Sequence, residues 1–301
     1  MRWLFIPIIG LALVACGQGP ADDASDDGGP DREKFDRRAQ EVAQAWQAQA
    51  GDWTTDFRVL DKRISGPDEA HLDEAQSAAI SSGWYELDTD LPDATPTDVV
   101  TLDDTRFTLE VWDAATAYDN LATGGEPPAD CPGESSGDSS SSQTACGVLT
   151  ITAMEPDMST VWTNHGLVNV PVWSYTAEGL PSPIKQVAFD IDGRADLPVV
   201  DAPEYEAPGE SRGVTGLSEV TETTVTALIG VGACDENIEL LVYEAADAIV
   251  VGGRAEHNGA ELCTDQLLFK PVTAELSTPI GDRMIINASS GSVLSAAGPL
   301  G

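Results

Sequence analysis

The sequence predicts a mainly β, α+β protein: two antiparallel β-rich domains with an N-terminal amphipathic helix and a short second helix. Short runs of alternating apolar and polar residues recur from residue 57 to residue 276, with Gly, Pro, Asn and Asp between them. No segment shows the sustained strand and helix alternation that builds a doubly wound parallel sheet. A chain of 301 residues, 42% of them hydrophobic, can bury more than one core, and its length suggests two domains.

Met1-Arg2 supplies a minimal positive start, and the apolar stretch from Trp3, broken at Pro7, runs on into Leu13-Val14-Ala15-Cys16. The 13 residues from Trp3 to Ala15 are too few to span a bilayer as a helix, which takes about 20. Residues 1–15 therefore read as a secretory signal. The Leu-x-Ala-Cys ending resembles the bacterial lipobox, which implies cleavage before Cys16 and a diacylglycerol on its thiol, with fatty acyl chains such as palmitate. Each buried CH₂ adds about 0.8 kcal/mol, so two or three chains would hold durably. The expected address is the cell membrane, through lipid on Cys16, with the rest of the chain extracytoplasmic. Residues 16–30 contain Gly, Pro, Ser and Asp and no large apolar side chain beyond the cysteine, so they read as a disordered acidic tether, about 20 Å in typical span.

Asp31 to Ala50 places Phe35, Ala39, Val42 and Trp46 on one helical stripe, with Asp31 and Glu33 in the first turn and Gly51 beyond the end. Strand patterns follow at Phe57 to Ile64, Ala78 to Leu87, Val99 to Trp112, Gly147 to Ala153, Thr160 to Thr163, Leu167 to Tyr175 and Ile184 to Ile191. Ala114 to Ala122 reads as the second helix. These elements make an N-terminal domain over 31–204, and the Pro-, Gly- and Glu-rich stretch at 205–216 reads as a linker. A C-terminal β domain over 217–287 has runs at Thr221 to Val231, Ile238 to Tyr243, Ala248 to Ala255, Leu262 to Phe269 and Thr273 to Leu276. Asp235-Glu236-Asn237 and Asn258-Gly259 offer its turns, and 288–301 reads as a flexible tail.

Besides Cys16 there are four cysteines, which allow three pairings. Pairing of sequence neighbours joins Cys131 to Cys146 and Cys234 to Cys263, one disulfide in each domain, each closing a loop worth a few kcal/mol. The first would pin the base of a Ser-rich loop. A zinc site would call for close pairs such as C-x-x-C, which are absent.

With 51 acidic against 15 basic residues the formal charge is −36, which excludes nucleic acid as a partner and disfavours electrostatic docking on anionic lipid. The ordinary reading of this acidity is solubility; the sharper one is collection of cations or basic partners. G-x-S-x-G occurs around Ser135 and Ser211, in a Ser-rich loop and in the linker, neither of them the strand-to-helix turn a serine hydrolase uses. His71, His165 and His257 are isolated in sequence. A calcium-loop register over Phe189 to Gly193 would put Ala188 and Val199 where Asp and Glu belong, leaving only a weak cation site from Asp190, Asp192 and Asp196 as the alternative to a turn. No glycine pattern for phosphate or dinucleotide is present, and no cofactor is expected.

Ala45-Trp46 with Trp53, Asp113 to Tyr118, Gly166 to Trp173 with its Val-Pro-x-Trp core, Gly232 to Asp235 and Thr278 to Arg283 together resemble segments of uncharacterised exported lipoproteins of actinomycetes. The resemblance implies two extracytoplasmic modules, each with a local cysteine pair, and carries no site residues; the Ser-rich insert between Cys131 and Cys146 departs from it.

The expectation is a non-enzymatic surface module that binds a ligand or protein partner of the envelope, with a groove lined by Trp84, Trp112, Trp162 or Trp173. The alternatives are an envelope hydrolase with a carboxylate pair at shifted pKa values, and a passive structural lipoprotein whose cue would be an exposed apolar patch.

Overall fold

The computed structural model describes residues 30–49, 56–102, 105–125, 147–191, 197–201, 210–260 and 262–296. In chain order its elements begin with α1 (Pro30–Gln49), β1 (Ile64–Ser65), a 3₁₀ turn at Glu69–His71, α2 (Glu74–Ser82), β2 (Tyr85–Leu87), β3 (Val99–Leu102) and β4 (Thr105–Thr108). Next come α3 (Ala114–Leu121), β5 (Leu149–Thr163), β6 (Gly166–Ala177), β7 (Ile184–Val187), β8 (Ser211–Arg212), β9 (Val214–Val220) and β10 (Thr224–Gly232). The chain continues through β11 (Asp235–Glu244), β12 (Ala248–His257), β13 (Leu267–Glu275) and β14 (Met284–Asn287). The protein is mainly β, its strands largely antiparallel. No helix among the described residues is long and apolar enough to cross a membrane.

The first sheet runs β1-β7-β6-β5-β2, around a long β5–β6 hairpin in which Thr163 pairs with Gly166. Along β6 the side chains alternate: Val168, Val170 and Val172 enter a core with Phe189, while Trp173 and Tyr175 enter another with Ile151, Ile184 and Leu121. The β3–β4 hairpin adds Val100, Leu102 and Phe107 to the first of these cores, and α3 adds Ala114, Ala117 and Leu121 to the second.

The second half is built from an antiparallel β13-β10-β9 sheet and a sheet ordered β11-β12-β14, in which β14 is parallel to β12 and β8 also pairs with β12. Their shared core includes Ile229, Val250, Ile285 and Leu294. The stripe predicted on α1 is buried, but it is buried here: Phe35, Ala39, Val42 and Trp46 belong to this core. Gly252 of β12 makes room for it, since a Cβ there would stand 2.9 Å from the Phe35 ring. The boundary drawn from composition therefore does not follow the packing. Leu60, Trp162 and Val200, all N-terminal to the expected linker, sit in the same core.

Several expectations need correction. Ala78 to Ser82 is helix, not strand: Asp73 caps α2 by accepting the Gln76 N–H at 2.8 Å, Gln76 returns the bond to the Asp73 N–H at 3.0 Å, and Gly83 closes the end with φ 68°. Asp73→Ala should cost about 1 kcal/mol in urea unfolding; an unchanged midpoint would deny the cap its role. The two runs at 147–153 and 160–163 are one strand through Pro156. The runs at 262–269 and 273–276 give one strand, β13. Asn237 (φ 49°) makes a bulge inside β11 rather than a turn. Residues 211–212 and 214–216 of the expected linker are strand. Residues 288–296 of the expected flexible tail are packed, with Ala288, Val293, Leu294 and Ala296 buried. Cys131 and Cys146 lie outside the described residues, as do the signal, Cys16 and most of the tether.

Candidate functional site

Chemistry-bearing side chains gather where β10 passes into β11 and β12 leaves the sheet. Gly232 ends β10, Ala233-Cys234 turns the corner and Asp235 opens β11, directly across from His257 at the end of β12. Asn258 and Gly259 (φ 77°) then redirect the chain, bringing Cys263 back to form the disulfide with Cys234, Cα to Cα 5.9 Å. The two sulfurs differ in setting: Cys234 is 9% exposed, whereas Cys263 is on the surface. His257 Nε2 stands 3.5 Å from Cys263 Sγ, and its Nδ1 accepts the Gly259 N–H at 3.0 Å.

An ion-pair lattice fixes the base of this corner. Arg212 on β8 donates from Nε and Nη2 to the two oxygens of Asp235, at 2.7 and 2.6 Å. With that fork first, and the Gly232 N–H helping against burial, the Asp235 carboxyl is held at about 2. Arg254 on β12 is ringed by Glu210 at 3.0 Å, Glu256 at 3.0 Å and Glu239 at 3.5 Å. Arg212 thus ties β8 to β11, and Arg254 ties β12 to β11.

Cys234, His257 and Cys263 offer three ligand atoms within 4.8 Å of one another. A metal does not fit this arrangement: the sulfurs are bonded to each other, and the Gly259 N–H on Nδ1 leaves the neutral ring's proton on Nε2, where a metal would need the lone pair.

The tryptophan groove is not formed. Trp162 and Trp173 are fully buried, and Trp84 and Trp112 are half-buried against the core that holds Trp173. Trp173 Nε1 donates to the Trp112 carbonyl at 3.0 Å, and the Arg63 guanidinium covers the Trp112 ring at 4.7 Å. Trp162 lies in the other core. A shallow concavity between α1 and β12, lined by Phe35, Leu241, Gly252 and Arg254 among others, contains no tryptophan. Asp190 is exposed, and Asp192 and Asp196 lie outside the described residues. Ser211 stands in β8, so its G-x-S-x-G has no nucleophile-elbow context. His165 sits at the β5–β6 turn, ring-to-ring with Phe57 and Phe107, and His71 is exposed beside Asp68. The carboxyls with shifted affinity among the described residues, Asp113, Asp157, Asp235 and Glu244, are all shifted down, as anions held by N–H donors are; a general acid needs one held up.

One exposed apolar strip stands out beside the corner. Leu267 (64% exposed) and Phe269 (38%) project from β13 opposite Gly232 and Gly230, and Leu262 (92%) lies just before them. Leu267 and Phe269 both reach over Gly230, where a Cβ would stand 3.4 and 3.6 Å from them.

Sequence reasoning named Cys234 and Cys263 but not His257 as their companion. Its six-residue spacing from Cys263 across an Asn-Gly turn is the signal that pairs them. No family model matches the chain, and no curated protein or solved structure is significantly similar to it.

Proposed function

We propose that this chain is a lipid-anchored, extracytoplasmic lipoprotein whose folded body is a partner-binding module rather than an enzyme. The lipobox-like Leu13-Val14-Ala15-Cys16 and the resemblance to actinomycete lipoproteins support the address. The exposed Leu267 and Phe269 on β13, with Leu262 in the segment before it, are the observation that carries the binding reading, because apolar side chains this exposed gain stability only when something covers them. Lys270-Pro271 blunts the open edge of β13 against strand addition, so the face is on offer rather than the edge. With a formal charge of −36 around it, the fitting occupant is an apolar protein segment flanked by basic residues.

Two measurements test the two halves. Wild-type protein should partition into detergent on phase separation and Cys16→Ser into water; a water-soluble wild type would remove the anchor. A photo-crosslinker at Leu267 in intact cells should give one discrete adduct that Phe269→Asp abolishes without lowering the melting temperature by more than a few degrees. No adduct, or one indifferent to Phe269, would sink the partner reading.

A further inference from the structure

We propose that Cys234–Cys263 is a redox-active pair that exchanges with solvent-accessible disulfides, with Cys263 the attacking sulfur and His257 the group that holds its thiolate. This goes beyond binding and does not depend on the apolar strip.

Two observations carry it. First, the sulfurs are unequal: Cys263 is exposed on the segment leading into β13, while Cys234 is 9% exposed at the strand corner. Thiolates attack and are attacked where solvent and partners can reach them, so the exposed sulfur is the one that meets a substrate. Second, His257 is set to donate. The Gly259 N–H occupies Nδ1 at 3.0 Å, which places the neutral imidazole's proton on Nε2, 3.5 Å from Cys263 Sγ. An N–H aimed at sulfur favours the thiolate over the thiol. Each sulfur also has a carbonyl oxygen at 3.9 Å, that of Leu262 for Cys234 and that of Ala260 for Cys263, so exposure and the imidazole are what distinguish the two. The anion near His257 is Asp235, but its charge is taken up by the Arg212 fork and does not oppose a thiolate on Cys263. A disulfide serving only as a staple has no use for an imidazole on its exposed sulfur.

In the dithiol form the Cys263 thiolate attacks one sulfur of a substrate disulfide RS–SR; a Cys263–SR bond forms and RS⁻ leaves. Cys234 then gives its proton to that thiolate through solvent and attacks Cys263 Sγ, forming the Cys234–Cys263 bond and expelling the second RS⁻. The substrate disulfide gains two electrons and the dithiol loses two. External thiolates, attacking at Cys263, run the same steps backwards.

The test uses the full chain under native conditions. The oxidised protein is treated with dithiothreitol, and each cysteine is followed by alkylation and peptide mass, which separates this pair from Cys131 and Cys146. The Cys234–Cys263 pair should open in the folded protein. Reoxidation of the reduced protein by oxidised glutathione should be slowed about tenfold by His257→Ala and partly restored by His257→Gln, whose amide can still donate to sulfur. In Cys234→Ser, glutathione should be trapped on Cys263; in Cys263→Ser, trapping on Cys234 should be many times slower. Partial reduction of the wild type gives the same ranking without cysteine replacement, Cys263 alkylating first. A pair that stays oxidised while folded, rates indifferent to His257, equal trapping on the two sulfurs, or one zinc ion bound by the reduced protein with loss of thiol reactivity would each overturn the proposal.

Discussion

Trp162→Ala should destabilise the protein by about 3–5 kcal/mol in urea unfolding and weaken the whole molecule in one transition. Trp162 is fully buried at the end of β5, yet it packs with the core of the C-terminal strands and of α1. Its backbone is clamped from the N-terminal side, with the Leu60 N–H donating to its carbonyl at 2.8 Å and its own N–H donating to Asp61 Oδ2 at 3.1 Å. Nearby, Gly166 at the hairpin turn lies so close to the Gly281 carbonyl that no side chain would fit. The hairpin end is thus the joint between the two halves. The indole N–H of Trp162 has no acceptor among the described residues, so Trp162→Phe, which removes an unpaired polar group while keeping most of the area, should cost far less than alanine. A loss below 1 kcal/mol for alanine, or two separate transitions in the wild type, would show that the halves fold independently.

Glu244→Gln should cost about 3 kcal/mol at neutral pH, and the cost should shrink on acidification. Arg283 is 7% exposed and donates to Glu244 Oε2 at 2.9 Å, and to the carbonyls of Thr278, Pro279 and Ile280 at 2.9, 3.0 and 3.1 Å. Burial alone would push the Glu244 carboxyl up; the Ser277 N–H, the Arg283 guanidinium and the Thr278 hydroxyl outweigh it and hold the carboxyl at about 2, against 4.5 for a free glutamate. A depressed carboxyl contributes stability that is complete above the unfolded value and disappears as pH falls through the folded one. The window is therefore from about pH 5 down to about pH 2, and Asp235 acts there in the same direction. Unfolding free energies of wild type and variant, measured between pH 7 and pH 2, should converge; a constant gap would mean that the glutamate acts through packing and not charge.

Most strands and the helix α1 were legible because their signals are local: the Phe35 to Trp46 stripe, and short apolar runs such as Leu167 to Tyr175 and Ala248 to Ala255 between turn residues. α2 was missed because Ala78 to Leu87 carries apolar residues at both spacings, while of the deciding signals Asp73-x-x-Gln76 stands before the run and Gly83 divides it. β14 is a four-residue segment, too short to carry a pattern, that its parallel partner β12 and the bridge from Ile286 to Val293 define. What α1 packs against was not legible at all, since a stripe declares that it will be buried but not by which strands. At the candidate site the cysteine pairing followed from nearness in sequence. The orientation of His257 depends on one backbone N–H from Gly259, which no residue pattern reports. The tryptophans misled because a large aromatic serves a core and a groove equally well; here the Trp112 carbonyl takes the Trp173 indole N–H, while Trp162 is buried with no acceptor for its own among the described residues.

Arg38 on α1 has its guanidinium buried, its Nε donating to the Ala288 carbonyl at 2.8 Å across 250 positions of chain. As the ribosome makes the protein, α1 emerges early and then waits, amphipathic and unsupported, for almost the whole remainder to be synthesised before its apolar stripe has anything to lie on. Contacts this distant in sequence make folding slow and postpone it to the end. A chain released before residue 288 would still offer β11 and β12 to the stripe but would lack the Ala288 carbonyl that Arg38 reaches, so the seat of α1 is completed only when the C-terminal segment arrives.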